Sequence, residues 1–213
     1  MLTPFNKMRG FTLIELLVAV AIFGILIAMG SRSFASWIQN QQIRTGAESI
    51  LNGMQLARGE AVKRNASAMF VLCDLAAGKT GSSWDVLAAS AAAVAQACAP
   101  DAGAATGWER VQQRSGQEGS RNAAVATTGA PAPNAVAFNG FGRVVTLATV
   151  PLSANTIVQP IAQVDVSNQK LGNCESDATP GPARCLSITV GAGGNLRMCD
   201  PSPNLAATDS RHC

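Results

Sequence analysis

The residue best placed to do chemistry is Glu15, a lone carboxylate five residues after Gly10, inside the apolar run FTLIELLVAVAIFGILIAMGS at residues 11–31. An ionisable group in such a run costs roughly 2.5–3.5 kcal/mol on membrane-insertion scales, so its presence marks a task. The chemistry open to it is electrostatic, because a carboxylate in a low-dielectric setting neutralises a nearby cation such as a free amine. Six cysteines offer a second chemistry: Cys73, Cys98, Cys174, Cys185, Cys199 and Cys213. None is closer than eleven residues to the next, so the C-x-x-C spacing of zinc ribbons and thioredoxin-type redox sites is missing. An even number, all beyond the apolar run, points to disulfides formed in an oxidising compartment. Six cysteines allow fifteen pairings. Nearness along the chain favours Cys73–Cys98 and Cys199–Cys213, which leaves Cys174–Cys185. Each loop closed contributes roughly 3 kcal/mol in the chain-entropy model.

Other chemistries find little footing. The one histidine, His212, is next to the last residue, so a Ser-His-Asp or Cys-His site would have to be built on a tail. The run from Gly191 to Asn195 lacks the lysine and spacing of a phosphate loop and reads as a turn between strands. No enzymatic activity, cofactor or metal is expected. The formal charge of +3 falls to +1 without residues 1–10, which carry Lys7 and Arg9. A balance so near neutral does not argue nucleic-acid binding. Arg143 and Arg197 follow glycine turns and are the candidate DNA contacts, since phosphate binding gains with each cation engaged; Arg184 and Arg211 lie in the cysteine-rich end.

The elements that carry these residues follow from periodicity. The apolar run is long enough to span a bilayer, where about 20 residues suffice. Lys7 and Arg9 precede it, which sets the leader in the cytoplasm and the rest of the chain outside. No small-residue cleavage site follows the apolar core, so the segment is expected to stay attached. Beyond it Phe34, Ile38, Ala47, Ile50, Leu51, Met54, Ala57 and Ala61 recur at helical spacing, with Arg44, Glu48, Gln55, Arg58 and Lys63 mostly on other faces. No proline occurs between residues 5 and 99, so one helix from Phe11 to Asn65 is expected, roughly 80 Å long at 1.5 Å per residue. Gly24 and Gly30 are its weak points, at about 1 kcal/mol each relative to Ala.

After Asn65 the period shortens. Candidate strands are Ala66–Cys73, Trp108–Val111, Val136–Phe138, Arg143–Leu147, Thr156–Val166, Leu186–Val190 and Asn195–Cys199. Residues 76–107, rich in Ala, Ser and Gly, read as an insertion or mobile loop pinned by Cys98, and residues 115–135 read as a second, polar connection. One long helix followed by short, mainly antiparallel strands is an α+β arrangement.

The leader KMRG followed by FTLIE resembles the class III signal of type IV pilins and pseudopilins without a mismatch. The stretches QLARGEAVKRNASAMFVLC (55–73), Gly107-Trp108, FNGFGRV (138–144) and SITVGAGGNLRMC (187–199) resemble the GspH/FimT branch of that family. The resemblance implies cleavage by a prepilin peptidase between Gly10 and Phe11, methylation of the Phe11 amine, and pairing of Glu15 with the N-terminal amine of a neighbouring subunit to set axial register. It implies residues 1–10 as leader, 11–31 as transmembrane half of the helix, 32–65 as its amphipathic half, and 66–213 as a disulfide-stapled β-rich head. The implied partners are other major and minor pilins and an inner-membrane assembly platform, with the chain in the bacterial inner membrane, its head in the periplasm, and then in a pilus or pseudopilus. The cysteine-rich end CDPSPNLAATDSRHC leans towards minor pilins of type IV pili, as does the bulk of residues 76–135; the other readings are a pseudopilin of type II secretion and a DNA-binding receptor at a pilus tip. Some FimT-like members bind DNA through a terminal G-R-x-R motif; Gly194-Asn195-Leu196-Arg197 keeps only its last arginine.

Overall fold

The computed structural model describes residues 11–94, 98, 106–128, 134–146 and 160–213. Gly10, the remainder of the expected leader, and residues 156–159 of one expected strand lie outside them. The chain divides into two compact units between Trp37 and Ile38.

Helix α1 is Leu13–Arg64. It starts at Thr12, whose Oγ1 accepts the Glu15 backbone N–H at 3.3 Å while its carbonyl accepts the Leu16 N–H at 3.2 Å. Threonine at the cap with glutamate three residues on has the capping-box spacing, and an acid in the first turn suits the positive end of the helix dipole. The helix stops at Asn65, which takes a left-handed φ of 47°. There Asn65 N–H reaches the Val62 carbonyl and Ala66 N–H the Ala61 carbonyl, the paired bonds of a Schellman ending. Lys63 and Arg64 complement the negative end of the dipole.

In the second unit the helix buries Ile43, Ala47, Ile50, Met54, Ala57 and Ala61 completely. Their steps of four and three keep one face turned inwards. This stripe starts at Ile43, later than expected: Phe34 and Ile38 remain 62% and 37% exposed.

Two antiparallel sheets pack with this face in one core. The first has the order β3-β2-β1-β5-β6, from β1 (Ala68–Leu72), β2 (Trp84–Val94), β3 (Thr106–Arg114), β5 (Ala135–Phe138) and β6 (Val144–Val145). The second has the order β4-β7-β8-β9, from β4 (Ala123–Thr127), β7 (Gln163–Asn168), β8 (Leu186–Val190) and β9 (Leu196–Cys199). A single helical turn, α2 (Cys73–Ala76), follows β1. β1 is central and buried on both faces. Ala68, Phe70 and Leu72 join the helix core, while Met69 and Val71 join Leu87, Ala135 and Ala137 in a smaller cluster. β7 alternates instead, with Val164, Val166 and Asn168 inward.

Two expectations are corrected here. Residues 76–107 are not a loop throughout: they hold β2 and the start of β3, joined from Trp84↔Arg114 to Ala89↔Trp108. Residues 115–135 hold β4 and the first residue of β5. The bulk between 76 and 135 is therefore largely ordered sheet among the described residues, and it carries no argument for an irregular head.

Three disulfides staple the second unit: Cys73–Cys98, Cys174–Cys185 and Cys199–Cys213, with Cα separations of 5.1, 5.5 and 5.0 Å. This is the pairing that nearness along the chain favours.

Candidate functional site: an apolar helix with one acid, and the charged turns of the head

From Leu13 to Ala28 every described side chain of α1 is exposed. Leu16, Leu17, Val18 and Val20 are 49–64% exposed, and at 100° per residue they point around most of the circumference. Ile22, Phe23, Ile25, Leu26 and Ile27 continue the pattern. A contiguous apolar surface of this kind marks a partner or membrane site. Among the described residues no helix is long and apolar enough to cross a membrane; the described side chains of this run end at Ala28, and residues 29–31 of the expected span lie beyond them.

Phe11, the expected first residue after processing, is 85% exposed ahead of the helix. Glu15 sits in the first turn, and among the described residues its carboxylate meets no cation. Thr12 is the functional neighbour that sequence reasoning missed. The T-x-x-E spacing was there to be read as a cap, fixing where the helix begins relative to Glu15.

The arginine turns come together in the head. Val144 N–H donates to the Ala192 carbonyl at 3.2 Å, so the turn 139–142 lies against the turn 191–194. Asn139 Oδ1 accepts the N–H groups of Phe141 and Arg143, which leaves Phe141 84% exposed at the tip. Arg143 forms no ion pair among the described residues, whereas Arg197 donates Nη2 to the Ser210 and His212 carbonyls at 2.9 and 2.7 Å. Arg197 thus holds the tail that Cys199–Cys213 closes. Arg184 pairs with Glu175 at 3.6 Å and Arg211 with Asp209 at 2.7 Å. The Arg211 guanidinium holds the Asp209 carboxyl at about 2.

Two buried acids are structural. Glu60 is gripped by Arg64 at 2.7 Å and Lys63 at 3.2 Å, and these cations hold its carboxyl below the usual range. Asp85 lies fully buried; its Oδ2 accepts the Cys98 N–H at 2.7 Å and Arg110 Nε–H at 3.2 Å, while Oδ1 has no partner among the described residues. Burial pushes the Asp85 carboxyl up, against the pull of Cys98 N–H and Arg110. Cys73, Asp85 and Cys98 stand close enough to suit a metal ion, but the disulfide removes both sulfurs as ligands.

Residues 5–31 match the family model described as the prokaryotic N-terminal methylation motif, and residues 46–172 match that of type II transport protein GspH. No curated protein matches the chain. Two crystal structures of the type IV minor pilin FimU of Pseudomonas aeruginosa PAO1, in space groups P21 and P65, are similar to it over 73% of its length. The alignments cover 87% and 90% of those chains, at 16% and 15% identity and TM-scores of 0.41 and 0.38. The second match spans more than half of the sequence and ends in the turn after β7, while the first covers part of the expected leader and the exposed apolar run: the chain belongs to the GspH family of pilins and pseudopilins.

Proposed function

We propose that this chain is a minor pilin of a type IV pilus. Residues 1–10 are its leader, 11–31 its membrane anchor, 32–65 the amphipathic half of its helix, and 66–213 its head. It waits in the bacterial inner membrane with the head in the periplasm. A prepilin peptidase cleaves after Gly10 and the Phe11 amine is methylated. The assembly platform then moves the helix from lipid into a filament, among the helices of major and minor pilins.

One observation carries this reading: a helix exposed and apolar around its circumference, interrupted near its start by a single acid that meets no cation among the described residues. Lipid and neighbouring helices are the surroundings in which such a surface is stable. The acid then requires a cation, and a processed N-terminus on an adjoining subunit supplies one. The role is structural, and assembly itself is the function.

A second reading stays open on a specific observation. The matched family model takes its description from type II transport, which supports a pseudopilin serving protein export. The resemblance of the cysteine-rich end to pilus members favours the pilus. Direct DNA capture by Arg143 and Arg197 has less support, because Arg197 spends its guanidinium on tail carbonyls.

Mass spectrometry of the membrane-extracted protein tests the reading. A mature chain beginning at methylated Phe11 is expected; a chain that keeps residues 1–10 would contradict it. Recovery with sheared pili rather than with secretion components then separates pilus from export.

A further inference from the structure

Three loops that are distant in sequence converge on a polar cleft of about 320 Å³. The connection from α2 to β2 brings Lys79, the connection from β3 to β4 brings Arg121, and the turn after β7 brings Lys170. None of the three forms an ion pair among the described residues. The lining holds one acid, Asp74, whose Oδ2 already accepts the Ser83 N–H at 2.8 Å. Gathering like charges without counter-charges is unfavourable unless something anionic joins them.

The walls of the cleft are held in place by hydrogen bonds, while its three cations are exposed. Ser82 and Ser120, each 2% exposed, share a hydroxyl hydrogen bond of 2.9 Å, and Ser120 donates onward to the Gly116 carbonyl. Gly116 N–H in turn donates to Ser83 Oγ at 3.0 Å, locking two of the loops together. The third is tied in by Gln169, which donates to Thr80 Oγ1. Backbone bonds pin the carriers of the cations: Lys79 N–H donates to the Asp74 carbonyl at 2.7 Å, and Lys170 N–H to Asn168 Oδ1 at 3.0 Å. The cleft lining carries no aromatic side chain on which a nucleobase could stack. Three exposed cations around one polar cleft suit a small group with several oxyanion atoms, bound by charge-assisted hydrogen bonds.

We propose that this cleft is a binding site for a compact phosphoryl-bearing ligand, gripped by Lys79, Arg121 and Lys170. The phosphoryl group could come from a soluble phosphate ester or from a lipid headgroup. The inference does not depend on pilus assembly, since it uses only residues of the folded head.

Calorimetry on the full-length protein in neutral detergent, at about 50 mM salt to limit screening, tests it with inorganic pyrophosphate and with glycerol phosphate. Saturable binding is expected for the wild type. The variant K79Q/R121Q/K170Q should weaken it at least about tenfold, K79R/K170R should retain it within about threefold, and K63Q, which removes an exposed cation outside the cleft, should leave it unchanged. Tighter binding of glycerol phosphate identifies a headgroup source, and tighter binding of pyrophosphate a soluble one; either supports the site. Absence of saturable binding to both probes overturns it, as does a triple variant that binds like the wild type. A DNA duplex held through the same three residues at least tenfold more tightly than pyrophosphate also overturns it, because the site would then not be one for a compact ligand. Unchanged thermal midpoints for the variants show that lost cations, and not lost folding, cause the effect.

Discussion

Substituting Gly53 separates packing from helix propensity. On propensity alone Gly53→Ala stabilises a helix interior by about 1 kcal/mol. The added Cβ, however, would lie 2.7 Å from Phe70 Cε2 and 3.1 Å from Trp84 Cδ2. Neither ring has room to yield: Phe70 is fully buried in the central strand, and Trp84 donates its indole N–H to Ser49 Oγ at 2.8 Å. Overpacking of this kind costs roughly 1–3 kcal/mol, so the net effect is a loss of about 1 kcal/mol, or about 2–4 °C in Tm for a chain of this size. Gly59 is the control, because it lies on the exposed face of the same helix and its Cβ would meet nothing within 4 Å. Gly59→Ala should therefore raise Tm by about 2–4 °C. Thermal unfolding followed by far-ultraviolet circular dichroism reads both. A Gly53→Ala variant stabilised as much as Gly59→Ala would refute the close approach of helix and sheet.

Replacing Cys199 and Cys213 together by Ser should cost about 3 kcal/mol, the loop-closure value for a separation of 14, and lower Tm by roughly 6–12 °C. Ser49→Ala leaves the Trp84 indole N–H buried without its acceptor and should cost about 1–3 kcal/mol in denaturant unfolding. For Asp85, burial raises the folded pKa above the unfolded value of about 3.9. The stability carried by its protonated form is therefore complete below about pH 4 and is lost as pH rises through the folded value. The wild type should lose stability relative to Asp85→Asn as pH rises above about 4; parallel curves above that pH would contradict the assignment.

What the sequence revealed and what it hid divide along physical lines. The helix was legible because its stripe is a local signal: apolar positions every three or four residues through Ala47, Ile50, Met54 and Ala57, with no proline to interrupt them. Strands β1, β5 and β8 were legible as short runs of branched and aromatic residues. β2, with the sequence WDVLAASAAAV, was not, since alanine has little strand preference of its own. It forms a strand because β1 and β3 pair with it on either side. β4, with AAVAT, was hidden for the same reason, and its alanines serve packing: a Cβ on Gly46 would lie 3.1 Å from Ala123 Cβ, so small residues on both elements let helix and sheet approach closely. The convergence of Lys79, Arg121 and Lys170 has no local signal, because three separate loops build it. Glu15 stood out by chemistry, while Thr12 three residues earlier was overlooked although its T-x-x-E spacing is a local signal.

Assembly of Glu15 variants tests the central claim most directly. Glu15→Gln keeps a polar side chain of the same size but removes the charge, and Thr12→Val removes the cap but keeps the charge. Both should be cleaved and membrane-inserted. Quantitative mass spectrometry of the sheared filament fraction should find Thr12→Val near the wild-type level and Glu15→Gln depleted at least about tenfold, as expected when an ion pair in a low-dielectric setting is lost. Glu15→Gln, or Glu15→Leu, incorporated like the wild type would contradict the account.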